Sequence, residues 1–177
     1  MGTASMGMAS VLFVFPFLMV YAAANDLLTM LIPNRITLAL IAGFAILAAS
    51  FGFGWTEVAL HAAAGALVLA ITFTLFALGH IGGGDAKLAA GTALWIGFDH
   101  LLDYFTLAAL AGGVLTVAIL ALRSQPLPVF VGSTLSRMPF LLHLHDKRTG
   151  VPYGIALAFA AVMVLPETAI WTRALGL

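Results

Sequence analysis

Two aspartates are the residues of this chain with the clearest chemical potential, because each is a lone carboxylate among long apolar stretches. Asp85 follows the glycines Gly82, Gly83 and Gly84, and Asp26 lies shortly before Ile32-Pro33-Asn34. A carboxylate in a membrane segment is costly and is usually functional. Two neighbouring carboxylates do not both ionise easily near neutral pH, so one can activate water while the other, protonated, polarises a carbonyl. The pair predicts the acid–base chemistry of an aspartic protease, which uses neither metal nor cofactor.

Each aspartate also has a purely structural interpretation. Asp85 opens an apolar helix, and a capping role at the helix N-terminus is predicted for it. Asp26 ends an apolar segment, where the helix dipole disfavours an anion, so capping does not explain it. The glycines before Asp85 permit unusual backbone dihedrals and let another backbone, or an extended peptide, come close to the carboxylate.

The composition decides which elements must position these residues. Of 177 residues, 63% are hydrophobic and 8% are charged, against about 25% charged in soluble domains. Such a chain cannot cover a globular surface in water, and we predict an integral membrane protein built from helices. The net charge is zero, so no basic surface for nucleic acid is expected. The chain has no cysteine, which excludes disulfides and a thiolate nucleophile.

Runs without charge predict an all-α, polytopic membrane protein with six transmembrane helices in a single domain, residues 1–177. The candidate spans are 8–25, 36–54, 58–80, 86–98, 104–122 and 151–170. The fourth run is short for a hydrocarbon core of about 30 Å, so a re-entrant segment is the alternative there. Small residues at Gly43, Ala63-Ala64-Gly65 and Gly112-Gly113 predict close helix packing.

The basic residues favour six spans and set the orientation. With six spans, all but one of the seven Lys and Arg residues fall on one side of the membrane: Arg35, Lys87, Arg123, Arg137, Lys147 and Arg148. Only Arg173 falls opposite, on the side of Glu57. The positive-inside rule makes the basic side cytoplasmic and leaves both termini outside. Asp26 and Asp85 then share the cytoplasmic edge.

Three sequence blocks occur in a fixed order around these aspartates. The first is Asp26 with Ile32-Pro33-Asn34, the second is Gly82-Gly83-Gly84-Asp85-Ala86-Lys87-Leu88, and the third is Pro152-Tyr153-Gly154-Ile155-Ala156. Together they resemble the type IV prepilin peptidase family of GxGD membrane aspartyl peptidases. The resemblance covers most of the chain, and the third block is similar to a motif at the start of the family's last span.

The resemblance implies an endopeptidase that removes leader peptides from pilin precursors at the cytoplasmic edge of a bacterial inner membrane. It implies Asp26 and Asp85 as the catalytic pair, with no metal and no cofactor. Supporting roles are expected for Gly82, Gly83, Gly84, Lys87, Pro33 and Asn34. The expected partners are the pilin leader, the hydrophobic segment that follows it, and membrane lipid. Without cysteine, the chain is similar to the short form of tight-adherence (Flp) pilus systems, which lacks the methylation domain.

Other polar residues receive structural interpretations. Lys87 is expected to extend its amine to the membrane interface, with tuning of the aspartate pair as the second reading. His61 and His80 are expected to be hydrogen-bonded bundle residues, and His80 is close enough to the glycine turn to touch the site. His143 and His145 lack an evident third metal ligand.

Two other functions remain open from the residues alone. A small proton-coupled transporter also uses intramembrane carboxylates, but it predicts them near the bilayer midplane, often with repeat symmetry. A non-enzymatic pilus assembly subunit would hold both aspartates for structural reasons and would tolerate their change to asparagine.

Overall fold

Helices form all the regular secondary structure that the structure describes, as the sequence predicts. The computed structural model describes residues 8, 10–124, 145, 146 and 149–176. Within these residues the α-helices are α1 (Phe15–Thr29), α2 (Asn34–Ser50), α3 (Trp55–Ala77), α4 (Gly83–Ile96), α5 (Leu101–Ser124), α6 (Gly154–Val164) and α7 (Ala169–Leu175). A π-helical turn, Ser10–Val14, precedes α1, and a 3-10 turn, Leu165–Glu167, joins α6 to α7. His143, Arg137, Lys147 and Arg148 lie outside the described residues.

Two of the described helices, α3 and α5, are long and apolar enough to cross a membrane. The α6 and α7 helices together form a third candidate span, with a bend of 57° at the break between them. Large apolar side chains of α5 point away from the bundle, with Leu102 78% exposed and Val114 72% exposed. An apolar outer surface of this extent requires lipid contact rather than water. The chain is a membrane protein.

The α4 helix lies at the centre of the bundle and contacts α2, α3 and α6. Nine of its fourteen residues are buried. Its length of about 21 Å, at 1.5 Å per residue, made it the least convincing span in the sequence. The side chain of Trp95 is fully buried, and its indole N–H donates to the Leu40 carbonyl of α2 at 2.9 Å. Because α4 is surrounded by other helices, it does not need the length of a lipid-facing span.

The α3 and α4 helices run antiparallel along the full length of α4. At one end the Thr72 hydroxyl is 3.3 Å from the Ala86 carbonyl oxygen. At the other end the His61 ring Nδ1 is 2.9 Å from the Leu94 carbonyl oxygen. This pairing shows α4 as one continuous helix between the two contacts, with no reversal of direction. It also confirms His61 as a hydrogen-bonded bundle residue.

Small residues permit the close helix contacts that the sequence predicts. A Cβ added at Gly43 would lie 3.0 Å from the Trp95 ring, and one at Gly65 would lie 3.3 Å from the Ala90 carbonyl oxygen. At Gly112 an added Cβ would overlap the Tyr153 ring, whereas Gly113 faces open space. Gly43, Gly65 and Gly112 are therefore packing positions, and Gly113 is not.

An ion pair joins α7 to α3 at the end of the bundle away from the aspartates. Arg173 of α7 donates to the Glu57 carboxylate of α3 at 2.7 Å, and its guanidinium lies 4.5 Å from the centre of the Phe53 ring. The contact brings Arg173 and Glu57 to the same end of the bundle, as predicted.

Candidate active site

Asp26 lies in the last turns of α1 and is almost fully buried, with 6% of its surface exposed. Its Oδ2 accepts the backbone N–H of Gly154, the first residue of α6, at 2.7 Å. A helix N-terminus has unpaired N–H groups and a positive dipole end, so it stabilises a carboxylate. Asp26 thus accepts a hydrogen bond from the N-terminus of a helix that lies 128 positions away along the chain. Sequence reasoning missed this contact because no local pattern marks it.

Asp85 is the third residue of α4 and not its N-cap, so the predicted capping position is wrong. The N-cap is Gly82. The Asp85 carboxyl turns back toward the N-cap, since a Cβ added at Gly82 would lie 3.0 Å from Asp85 Oδ2; the third helical residue takes this direction in a capping box. Asp85 is half-buried. Its carboxylate therefore remains near the start of α4 and is still reachable from one side.

The structure brings Asp26 and Asp85 close enough for their carboxyl groups to interact electrostatically. Ile32 packs against Gly84, which precedes Asp85 in α4, and against Gly154, the residue of α6 that donates to Asp26. A Cβ added at Gly84 would lie 3.0 Å from Ile32 Cβ, and one added at Gly154 would lie 2.8 Å from Ile32 Cδ1. Both glycines are needed because Ile32 fills the space that their side chains would take.

The glycines before Asp85 serve close packing and not unusual dihedrals. Gly82 has φ −72° and ψ 143°, and neither Gly83 nor Gly84 has a positive φ. The conformational freedom of these glycines is therefore not used for a positive φ. A Cβ on Gly83 would lie 3.1 Å from the Phe76 ring. Gly83 and Gly84 are packed against the protein itself, whereas Gly82 is exposed.

Lys87 and Asn34, two of the predicted supporting residues, are in direct contact. The Lys87 ammonium donates to the Asn34 side-chain oxygen at 2.8 Å. Asn34 begins α2 immediately after Pro33, which is the extended N-cap of that helix. The hydrogen bond ties the start of α2 to the first turn of α4. Lys87 is exposed and does not line the cavity beside Asp85.

A cavity of about 650 Å³ opens beside Asp85. Its wall includes His80 and Gly82 at the glycine turn, and Tyr153 at the start of α6. The rest of the wall is mostly apolar, with Leu75, Ala89, Phe105, Ala108, Ala109 and Leu157 among its members. Asp26 does not line this cavity, so Asp85 is the member of the pair that a molecule in the cavity would contact. His80 touches the site, as its position in the sequence predicts.

One group of described side chains has the spacing of metal ligands. His100, Asp103 and Glu167 offer ligand atoms within 4.8 Å of one another. The His100 Nδ1 and Asp103 Oδ2 atoms are already in hydrogen-bond contact at 3.1 Å. These residues lie at the end of α4 away from Asp85, and both carboxylates are exposed. They take no part in the aspartate site.

The described chain is an all-helical membrane protein with two interacting carboxylates at one end. It matches the type IV leader peptidase family over residues 13–117, more than half of its length, and it belongs to that family. Members of this family are prepilin peptidases, hydrolases that act on pilin precursors. The matched region includes Asp26 and Asp85 and ends before Gly154. No match was found among curated proteins or among solved structures.

Proposed function

We propose that this chain is an aspartyl endopeptidase that removes the leader peptide from type IV pilin precursors of the Flp class. One observation carries the proposal: carboxylates from α1 and α4 interact with each other, and one of them faces a cavity. In this proposal residues 1–177 form a single peptidase domain of six spans with both termini outside. Asp26 and Asp85 then lie at the cytoplasmic edge of the bacterial inner membrane.

Hydrolysis at this pair requires a water, an extended peptide and one shared proton. The ionised aspartate takes a proton from the water, whose oxygen adds to the scissile carbonyl carbon. The protonated aspartate donates to the carbonyl oxygen, where negative charge develops. The C–N bond then breaks: the leaving nitrogen takes the proton that came from water, and the other aspartate takes back the proton from the diol oxygen, which reforms the carbonyl and restores the single shared proton. Asp85 is the member placed to meet the peptide, because it lines the cavity.

The surroundings of Asp85 fit a substrate with a polar leader and an apolar continuation. Gly82 is exposed at the cavity rim and has no side chain to block a peptide backbone. The apolar wall formed by α5 and α6 suits the hydrophobic segment of a pilin precursor, which would lie alongside the bundle. The leader would remain on the basic side of the membrane.

Leader removal in cells tests this proposal directly. The chain is co-expressed with a pilin precursor encoded near its own gene, and the shorter pilin is followed on a gel. Asp26→Asn and Asp85→Asn keep the side-chain shape but remove the acid–base function, so each is expected to abolish cleavage. Asp103→Asn is the matched control, because Asp103 lies at the other end of α4 and is exposed. Full cleavage by either of the first two variants, with normal membrane insertion, contradicts the dyad.

The two alternative functions lead to different expectations. A proton-coupled transporter needs carboxylates near the bilayer midplane, but Asp26 is in the last turns of α1 and Asp85 in the first turn of α4. A non-enzymatic assembly subunit would still support pilus formation with both aspartates changed to asparagine. Leader removal by the wild type, and its loss in these variants, therefore favours the peptidase over both alternatives.

A further inference from the structure

The segment 149–154, called the strap here, connects to α5 at its first residues. Arg123, in the last turn of α5, is buried, with 8% of its surface exposed. Its guanidinium donates to the Thr149 hydroxyl at 3.1 Å and to the Gly150 carbonyl at 3.0 Å. Hydrogen bonds from a charged donor are among the stronger ones in proteins. They fix the first residues of the strap to α5.

The same helix holds the strap near its other end through Tyr153. The aromatic ring lies over Gly112, where any Cβ would overlap it. The Tyr153 hydroxyl is 3.4 Å from the Ala108 carbonyl, one turn earlier in α5. The Tyr153 ring therefore occupies a slot in α5 that only a glycine leaves open.

The next residue of the strap contacts the buried aspartate. The Gly154 N–H donates to Asp26 Oδ2 at 2.7 Å, and a Cβ on Gly154 would lie 2.8 Å from that same oxygen. Because Tyr153 and Gly154 are adjacent, the position of the ring in α5 sets the position of this N–H. The contacts run from Gly112 through Tyr153 and Gly154 to Asp26.

We propose that the strap orients the Asp26 carboxyl for catalysis, with Gly112, Tyr153 and Gly154 acting as positioning residues. Because the hydrogen bond fixes one oxygen of Asp26, it sets the orientation of the whole carboxyl group. The proposal rests on the catalytic role proposed for Asp26. A displacement of about 1 Å in a catalytic group can lower a rate by about 100-fold, so a loosened strap lowers turnover more than substrate binding.

The aspartate carboxyl can be observed without any measurement of cleavage. The chain has five aspartates, so a sample labelled with ¹³C at the aspartate carboxyl carbon gives few signals. In detergent, the Asp26→Asn variant identifies the Asp26 signal by its loss. Gly112→Ala and Gly154→Ala are expected to move that signal, since both disturb the Gly154 N–H. Gly113→Ala, the neighbouring change into open space, is expected to leave it in place.

Cleavage kinetics on the same variants supply the second measurement. Gly112→Ala and Gly154→Ala are expected to lower kcat at least about tenfold with KM within about twofold. Tyr153→Ala is expected to do the same, and Tyr153→Phe, which keeps the ring, is expected to recover most of the rate. The double variant with Gly112→Ala and Tyr153→Ala is expected to be no worse than Tyr153→Ala alone, because the two residues act through one contact.

The two measurements separate failure of this inference from failure of the proposed function. If wild-type protein cleaves no pilin precursor, the proposed function is wrong, but the Asp26 signal still reports whether the strap holds the carboxyl. If the signal stays fixed in folded Gly112→Ala and Tyr153→Ala protein, the positioning role is overturned. It is equally overturned if these variants raise KM and leave kcat unchanged.

Discussion

Asp26 combines two electrostatic positions that usually occur on different residues. It lies near the C-terminal end of α1, where the helix dipole disfavours an anion, and it also lies at the N-terminus of α6, where a dipole favours one. At the N-terminus of α6 the Gly154 N–H also donates a hydrogen bond directly to Asp26, in addition to the effect of the helix dipole. The N–H donor and the helix N-terminus together stabilise a carboxylate in this buried position.

Ile32 packs against Gly84, which precedes Asp85, and against Gly154, which donates to Asp26. Ile32→Ala removes atoms that pack against Gly84 and Gly154, and a truncation of this kind costs about 2–4 kcal/mol. We expect a lower melting temperature in detergent and slower leader cleavage. Leu31→Ala is the control, because Leu31 is 69% exposed whereas Ile32 is 9% exposed. Equal effects of the two changes would contradict the packing role.

The hydrogen bond between Lys87 and Asn34 joins two helices at the same end of the bundle. Lys87→Met keeps the apolar stem and removes the donor, and Asn34→Ala removes the acceptor. Because Lys87 is exposed, each change is expected to cost no more than about 1 kcal/mol. The double variant is expected to match the single ones in melting temperature. Full additivity would mean that the two side chains stabilise the protein independently.

Helix α4 depends on small residues because larger helices enclose it. Gly65→Ala places a methyl group 3.3 Å from the Ala90 carbonyl and 3.3 Å from Leu94 Cβ. Backbone atoms cannot move aside easily, so we expect a loss of about 1–3 kcal/mol. Gly113→Ala adds the same methyl group in open space, and its higher helix propensity should be neutral or stabilising by up to about 1 kcal/mol. The melting temperature in detergent should therefore fall for Gly65→Ala and should stay the same or rise for Gly113→Ala.

The helices follow from hydrophobic runs and charge placement, whereas their mutual contacts do not. The run at 86–98 identifies α4 but not its enclosure, because enclosure depends on which helices pack against it. The capping prediction for Asp85 failed by three positions, since Gly82 has the extended backbone that an N-cap needs. Both aspartates could be chosen from sequence as unusual carboxylates. The partner of Asp26 could not, because a hydrogen bond across 128 positions leaves no local pattern.

The two ends of the bundle differ in their polar groups. One end holds Asp26, Asp85 and Lys87, and the other holds the Glu57–Arg173 pair and the cluster around His100. The same division appears in the charge pattern of the sequence, which predicts a cytoplasmic and an outer side. It gives the whole molecule an orientation that can be measured.

Cysteine labelling tests this orientation, and the native chain offers no competing thiol. Asp99→Cys and Ser124→Cys each replace an exposed residue, at opposite ends of α5. With six spans and outer termini, a membrane-impermeant maleimide should label Asp99→Cys in intact spheroplasts. It should label Ser124→Cys only after the membrane is opened. The reverse pattern would place the aspartate pair on the outer side and contradict cleavage at the cytoplasmic edge.

The contact between Asp26 and Gly154 also has a consequence for the order of biosynthesis. Because the N-terminal part of a chain is made first, α1 and α4 are complete before residue 154 leaves the ribosome. Until then Asp26 lacks the N–H donor that fixes its carboxyl. A truncated or half-inserted chain thus carries both aspartates without the partner that orients one of them. Under the proposed function, proteolytic competence arises only when the last helices have joined the bundle, which protects the membrane from a partly built protease.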